Sequence, residues 1–162
     1  GVKKEEKPEI EILLNVDAYI PDAYIPDGYQ KIQMYKRIKA MDQVDEYEEI
    51  MEELQDRFGD LPIETERLLR IARMKIWGLE MGVTSIKEKQ KVISILLSEE
   101  GSAKVDGSKI VSETMKFERA VGFGMDSMQL ILTIDERKCI KYHHFDILEE
   151  IMQIIANSKK NM

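Results

Sequence analysis

The sequence predicts an α+β fold: an amino-terminal strand and an extended connector, a helical hairpin plus a long helix, then a small strand-rich segment with a short helix, and a carboxy-terminal helix. Residues 9–16 alternate between apolar and polar side chains, which is the period of a half-buried strand. Apolar residues then recur at helical spacing from about residue 29 to residue 81, and short β-type runs follow. Helices that precede a separate group of strands are typical of the α+β class.

A short internal repeat follows the first strand. The sequence Asp-Ala-Tyr-Ile-Pro occupies residues 17–21 and again residues 22–26. Each proline fixes its own φ and pushes the preceding isoleucine toward extended backbone, so no helix can run through the repeat. We therefore expect an extended, anchored connector.

Two helices of opposite charge follow the connector. The first, about Tyr29–Met41, carries Lys31, Lys36, Arg37 and Lys39. The second spans about residues 45–58, with seven acids among the twelve positions 45–56 and one apolar sector. Asp42 or Asp45 is expected to cap its start, and Gly59 to end it. The pair predicts a helical hairpin.

A long helix is predicted over about residues 63–81, with Pro62 as a plausible first residue and Gly82 as the terminator. The expected core stripe consists of Leu68, Leu69, Ala72, Ile76 and Leu79. The opposite side carries Arg67, Arg70, Arg73, Met74, Trp77 and Met81. That side either packs under the strand-rich half or forms a partner groove, with Trp77 as its anchor and Arg73 stacked on Trp77.

The last 80 residues change character. Strands are predicted at 83–87 and 92–97 around a turn at 88–90, and a second strand pair at 121–125 and 128–134. Asp106 is expected to cap a short helix over about residues 107–117. A final helix is predicted over about residues 140–157.

Composition limits the classes of protein to consider. The chain has 162 residues, a formal net charge of −7 and one cysteine, which excludes an intramolecular disulfide. We expect a Lys/Glu-rich linker or expression remnant at residues 1–8, a single domain over 9–157 and a frayed tail at 158–162. The initial glycine and this linker suggest a piece of a longer protein. No apolar run reaches the roughly 18 residues of a membrane span, so a cytoplasmic protein is expected.

No motif for catalysis or cofactor binding is present. The sequence lacks a Walker A loop, a G-x-S-x-G elbow and an H-E-x-x-H helix. The glycines at 122 and 124 lack the third glycine of a dinucleotide site. Cys139 and His143, with His144 and Asp146 nearby, could face one metal or form a nucleophile pair, but a second ligand pair is missing. We expect no catalytic residue, no cofactor and no metal.

The acidic excess is local. Residues 1–60 hold 8 basic and 16 acidic side chains, and the remainder is nearly balanced. This balance argues against duplex binding by the amino half and favours a basic partner surface. The acidic helix is either a solvated face, with Glu53 and Arg57 pairing at i,i+4, or a docking patch made of Glu53, Asp56 and Arg57.

Four ordered motifs carry a family resemblance: residues 16–27 (VDAYIPDAYIPD), 35–37 (YKR), 53–62 (ELQDRFGDLP) and 69–73 (LRIAR). Together they resemble the carboxy-terminal domain of the bacterial transcription-repair coupling factor family, also called Mfd. The resemblance covers most of residues 9–82, whereas residues 83–162 agree only in layout.

The resemblance implies a function. Full-length members are ATP-driven double-stranded DNA translocases that release stalled RNA polymerase and recruit nucleotide excision repair. Their carboxy-terminal domain is non-catalytic and is thought to dock on the amino-terminal module, masking the surface that binds UvrA. The family motif places Glu53, Asp56 and Arg57 in that docking region. The alternative is a module that contacts DNA or polymerase through Arg67, Arg70, Arg73 and Trp77.

Overall fold

The computed structural model describes residues 9–160; the linker predicted at residues 1–8 lies outside them. The contacts divide the described chain into two compact units, where the sequence predicts one domain over 9–157. One unit comprises residues 15–76, and the other comprises residues 9–14 together with 77–160. Among the described residues, no helix is long and apolar enough to cross a membrane.

The unit of residues 15–76 is helical. It contains α1 (Gly28–Lys39), α2 (Asp45–Phe58) and most of α3 (Ile63–Met81). Asp27 caps α1 by accepting a hydrogen bond from the Gln30 N–H at 2.9 Å. The core of this unit consists of Ile20, Ile25, Met34, Ile38, Met41, Tyr47, Ile50, Leu54 and Leu69. The apolar sector predicted for α2 is thus the buried one.

The repeat is the anchored connector that the sequence predicts. Both of its isoleucines, Ile20 and Ile25, are buried in the helical core. The backbone N–H of Ile20 donates to the Tyr35 hydroxyl at 2.7 Å, so the backbone is tied down as well. The connector is not extended throughout, because the N–H groups of Tyr24 and Ile25 both donate to the Pro21 carbonyl and form a turn.

The predicted cap of α2 is wrong. The residue before the helix is Val44, which makes no side-chain cap, and Asp45 is already helical. The N–H groups of Glu46 and Tyr47 donate to the Gln43 and Val44 carbonyls, each at 3.1 Å, so a tight backbone turn takes the place of the carboxylate. Gly59, with a φ of 88°, ends α2 as predicted.

The long helix α3 matches its predicted bounds, but its buried surface is wider than one stripe. Leu69 is fully buried, and Leu68, Ala72 and Ile76 pack against the helical core. Met74 and Met81, predicted on the opposite side, are also buried, whereas Leu79 is exposed. Tertiary packing on more than one side of the helix overrides the single-stripe prediction.

The second unit contains a five-stranded sheet in the order β1-β2-β3-β5-β4. The strands are β1 (Glu11–Leu13), β2 (Val83–Lys89), β3 (Val92–Leu97), β4 (Val121–Asp126) and β5 (Gln129–Asp135). β1 pairs in parallel with β2, and the other pairs are antiparallel. Two-residue turns join both hairpins, and all four turn residues have positive φ: Gln90, Lys91, Ser127 and Met128.

Three helices complete this unit. α4 (Glu99–Lys104), which the sequence does not predict, is capped by Ser98. α5 (Gly107–Thr114) is capped by Asp106 as predicted, and 3-10 turns over residues 115–120 replace its expected end. α6 (His144–Ala156) begins four residues later than predicted, because His143 caps it through Nδ1 and Ile140 is 85% exposed.

The predicted frayed tail is ordered where the structure describes it. Ser158 is fully buried, and its hydroxyl donates to the Ile155 carbonyl at 2.7 Å. Lys159 pairs with Val105 in an antiparallel bridge, and the Lys160 N–H donates to the Lys104 carbonyl at 2.8 Å. These backbone hydrogen bonds overturn the prediction for residues 158–160; residues 161–162 lie outside the described part.

Candidate docking surface at the end of the acidic helix

Glu53 is the centre of an ion-pair cluster on the outer face of α1 and α2. Its carboxylate pairs with the guanidinium of Arg37 on α1. The same oxygen accepts a hydrogen bond from Arg57 Nη1 at 3.2 Å, one helical turn further along α2. Both arginine side chains are about half exposed. The cluster therefore combines one acid with two bases, and the Glu53 charge is neutralised within the chain.

Asp56 differs from Glu53 in its surroundings. It is exposed, and within residues 9–160 it makes no ion pair or side-chain hydrogen bond. Exposed Glu48, Glu49 and Glu52 continue the acidic surface along α2. The helix end is thus a mixed patch: the Asp56 carboxylate is available to a basic group, and the exposed Arg57 can meet an acceptor.

The carboxy-terminal end of α2 is held in place by Tyr24 from the second repeat. The Tyr24 hydroxyl lies 3.2 Å from the Leu54 carbonyl and 2.8 Å from the Gly59 carbonyl, so it satisfies acceptors that a helix end otherwise leaves open. The Tyr24 ring also packs at a tilt on Phe58, with 5.8 Å between centroids. The patch residues therefore lie at a helix end whose position is fixed by the contacts of Tyr24.

An open groove lies beside the patch. It has a volume of about 560 Å³, and its wall includes Arg37, Glu53 and Arg57. The α1 side contributes Tyr29, which is 74% exposed, together with Gln30 and Gln33. Such an open groove suits a protein side chain from a partner better than an enclosed small molecule.

The family follows from comparison with known proteins. Residues 14–108 match the model of the TRCF domain. The chain belongs to the TRCF domain family. The transcription-repair-coupling factor of Staphylococcus aureus strain USA300 is 36% identical over 99% of the chain, and that of Bacillus subtilis strain 168 is 39% identical over 83%. The chain spans 14% and 11% of the length of these two relatives.

A solved structure has the same fold as this TRCF domain. It is described as the crystal structure of the C-terminal domain of transcription-repair coupling factor. The two share a TM-score of 0.81 and 27% sequence identity, over 93% of this chain and 94% of the other. The family resemblance and the α+β class predicted from the sequence are both confirmed.

The second predicted interaction face of the TRCF domain is less accessible. Arg67, Arg70, Arg73 and Trp77 are all half-buried on α3. The guanidinium carbon of Arg73 lies 3.9 Å from the centroid of the Tyr47 ring, in cation–π geometry. Direct contact of this face with DNA or polymerase stays a prediction.

Cys139 and His143 of the TRCF domain do not form the helical pair considered from their spacing, because both precede α6. The Cys139 thiol donates to the Asp135 carbonyl at 3.4 Å, and His143 caps the helix. Burial raises the pKa of Cys139, and the carboxylates of Glu136 and Asp135 raise it further. A raised thiol pKa disfavours the thiolate that nucleophilic catalysis needs.

Two residues of the candidate docking surface are not among the site residues predicted from the sequence. Arg37 is predicted only as one of the bases on α1 and as part of the YKR motif, and Tyr24 only as part of the repeat. A helical wheel of each helix alone cannot show that Arg37 faces Glu53. The sequence offers a partial signal for Tyr24, since the hydroxyl of a tyrosine with a packed ring usually finds a hydrogen-bond partner.

We expect Tyr24→Phe to destabilise the helical unit by about 1 kcal/mol near neutral pH, because the Leu54 and Gly59 carbonyls lose the single O–H donor that they share. Burial raises the pKa of Tyr24, and Asp60 adds to the shift. The stabilisation by the hydroxyl is therefore present below the unfolded pKa of roughly 10 and is lost as pH rises through the folded value. Urea unfolding at pH 8 measures the loss of stability in Tyr24→Phe. Urea unfolding above the unfolded tyrosine pKa of roughly 10 measures how the difference between the two chains falls as pH rises.

The exposed Tyr29 provides the matched control. Tyr29→Phe should leave stability unchanged at both pH values. Equal stability of Tyr24→Phe and the original chain at pH 8 would show that the hydroxyl does not hold the end of α2.

Proposed function

We propose that this TRCF domain is a non-catalytic regulatory module of a transcription-repair coupling factor. In this proposal the full-length protein is an ATP-driven DNA translocase that removes stalled RNA polymerase and recruits nucleotide excision repair. The domain docks through Glu53, Asp56 and Arg57 on the amino-terminal module of the same polypeptide. Docking covers the surface for UvrA and restrains the motor.

The observation that carries the proposal is the arrangement at the end of α2. The side chains of Asp56 and Arg57 are exposed next to each other on a helix end that Tyr24 holds. Family membership supplies the context, because the curated relatives are transcription-repair-coupling factors. The matched motif ELQDRFG contains all three patch residues.

The charges define the partner. Asp56 calls for an arginine or lysine on the partner, since its charge is not balanced inside the described chain. Arg57 shares Glu53 with Arg37 and can still donate its remaining N–H groups to a carboxylate or carbonyl. A partner with neighbouring basic and acceptor groups would dock in one orientation, because the reverse orientation places like charges together.

Autoinhibition of this kind needs only a modest free energy. A closed state favoured by about 3 kcal/mol keeps the open state below roughly 1% of the population. Engagement of polymerase then has to supply a comparable difference in affinity between the two states. A small charged patch beside a shallow groove is consistent with such a reversible contact.

Charge reversal at Asp56 tests the proposal in full-length transcription-repair coupling factor carrying this domain. Asp56→Arg places a cation against the basic partner group without breaking any ion pair among residues 9–160. We expect UvrA to bind about tenfold more tightly and the basal ATPase rate to rise about tenfold. A tenfold change corresponds to a loss of roughly 1.4 kcal/mol from the free energy that favours the closed state.

Glu48 offers the control, because it is an exposed acid on the same helix. Glu48→Arg changes the net charge equally but lies eight residues away, about 12 Å along the axis. It should leave both readouts near those of the unaltered protein. If Asp56→Arg also leaves them unchanged while the domain stays folded, the patch is not the clamp.

A further inference from the structure

A second group of polar side chains lies in the sheet-containing unit. Glu88, Glu136 and His144 each offer one ligand atom, and these atoms all lie within 4.8 Å of one another. All three side chains are half-buried. The sequence predicts no metal here, because Glu88 on β2 and Glu136 after β5 are 48 positions apart along the chain and meet only in the folded structure.

The fold explains how the three residues meet. Glu88 is the β-ladder partner of Ile93, and Ile93 is the partner of Ile134, so these side chains share one face of the sheet. Glu136 begins the 3-10 turn after β5, and its N–H donates to the Lys91 carbonyl in the β2–β3 turn at 2.9 Å. His144 is the first residue of α6, placed by the cap at His143.

The contacts within the group leave one carboxylate oxygen without a partner. His144 Nε2 lies 2.9 Å from Glu136 Oε1. The other oxygen, Glu136 Oε2, is buried and has no hydrogen-bond partner in the described residues, and the Glu136 side chain is only 13% exposed. A second carboxylate, Glu88, lies beside it. Two close carboxylates repel each other unless a cation or a proton balances them.

We propose that Glu88, Glu136 and His144 bind one divalent transition-metal ion of the Zn²⁺ type. One imidazole and two carboxylates are ligands that Zn²⁺ accepts, and the ion would satisfy the buried oxygen of Glu136 and balance both carboxylates. Three protein ligands leave a further position for water. The ion ties together the end of β2, the turn after β5 and the start of α6, so it strengthens this unit. The inference is independent of the docking proposal.

The test uses the purified chain after treatment with a chelator. Zn²⁺ is titrated by isothermal calorimetry, and thermal unfolding is followed with and without about 100 µM ZnCl₂. We expect one ion per chain and a rise in the melting temperature, because a ligand that binds only the folded state stabilises it by mass action. Mn²⁺, as a second probe, should bind more weakly, in line with the order of affinities of divalent metals.

Two variants test whether the ion binds at the proposed residues. Two control variants test whether the neighbouring thiol and the other imidazole bind it instead. Glu136→Gln and His144→Gln should each weaken Zn²⁺ binding at least tenfold. His143→Asn retains a capping residue and should bind like the original chain, as should Cys139→Ser. No binding by the original chain at this concentration would overturn the proposal. So would equal binding by the Glu136→Gln variant, whose near-identical shape keeps the fold.

Discussion

Gly101→Ala is expected to lower the stability of the sheet-containing unit by about 3 kcal/mol, because it forces a methyl group into a closely packed backbone contact. A Cβ atom at this position would lie 2.4 Å from the Met81 carbonyl oxygen and 3.0 Å from the Gly82 Cα. Neither atom belongs to a flexible side chain that could rotate away. The helix preference of alanine over glycine, about 1 kcal/mol, recovers only part of the loss.

The contact of Gly101 with Met81 and Gly82 joins the end of α3 to α4. Gly82 ends α3 with a φ of 78°, and its carbonyl accepts a hydrogen bond from the Ser98 N–H at 2.7 Å. Ser98 in turn caps α4 through its hydroxyl. Separating Gly101 from Met81 and Gly82 would therefore disturb the end of α3 and the start of α4 together.

Thermal unfolding followed by circular dichroism checks this expectation, with a fall in melting temperature of roughly 15 °C for a unit of this size, at about 4–8 °C per kcal/mol. Gly107→Ala is the matched control, since Gly107 begins α5 and a Cβ there meets nothing within 4 Å. The control should be neutral or slightly stabilising. Equal melting temperatures for the two variants would contradict the close packing at Gly101.

Ile25→Ala is the second change with a large expected effect, a loss of about 3 kcal/mol in the helical unit. Ile25 is fully buried in the helical core, and its removal leaves a cavity that the proline-restricted connector cannot easily close. The variant should also loosen the neighbouring Tyr24 and with it the end of α2.

Ile32 on α1 gives the control for Ile25, because the same side chain is 54% exposed there. Ile32→Ala should change the unfolding free energy by less than about 0.5 kcal/mol. Urea unfolding with a helix-specific signal measures both variants. A loss at Ile25 no larger than that at Ile32 would show that the repeat merely lies on the surface.

The sequence predicts most of the elements because their signals are local. The apolar run of β3, the apolar sector of α2 and the glycines at 59 and 82 depend on neighbouring residues only, and the structure agrees with them. The element α4 escapes prediction because its sequence, EEGSAK, contains a central glycine and no apolar stripe. It forms because Ser98 caps it and the backbone of α3 packs against Gly101.

Positions that depend on contacts between distant segments are predicted less well. The spacing of Cys139 and His143 suggests a shared helix face, but a turn and a cap separate them from α6. The frayed tail fails for a similar reason, since its partner strand residue Val105 lies 54 positions earlier. Strand order is equally non-local, and β1 pairs with β2 across the whole helical unit in sequence.

The candidate docking patch also combines features that a local motif predicts with a contact between distant segments. One motif predicts Glu53, Asp56 and Arg57 as contacts, and all three lie near the end of α2. What the motif cannot show is that Arg37 neutralises Glu53, which leaves Asp56 as the acid without an intrachain partner in the described residues. The structure therefore shifts the decisive test from Glu53 to Asp56.

The most direct test of the docking surface is the affinity of this chain for the isolated amino-terminal module of a transcription-repair coupling factor, measured by calorimetry for the original chain, Asp56→Arg and Glu48→Arg. Both variants change the net charge equally, so they alter the long-range electrostatic attraction to the partner by the same amount. The docking surface predicts at least a tenfold loss of affinity for Asp56→Arg, about 1.4 kcal/mol, and less than a twofold change for Glu48→Arg. Binding of Asp56→Arg as tight as that of the original chain would contradict it.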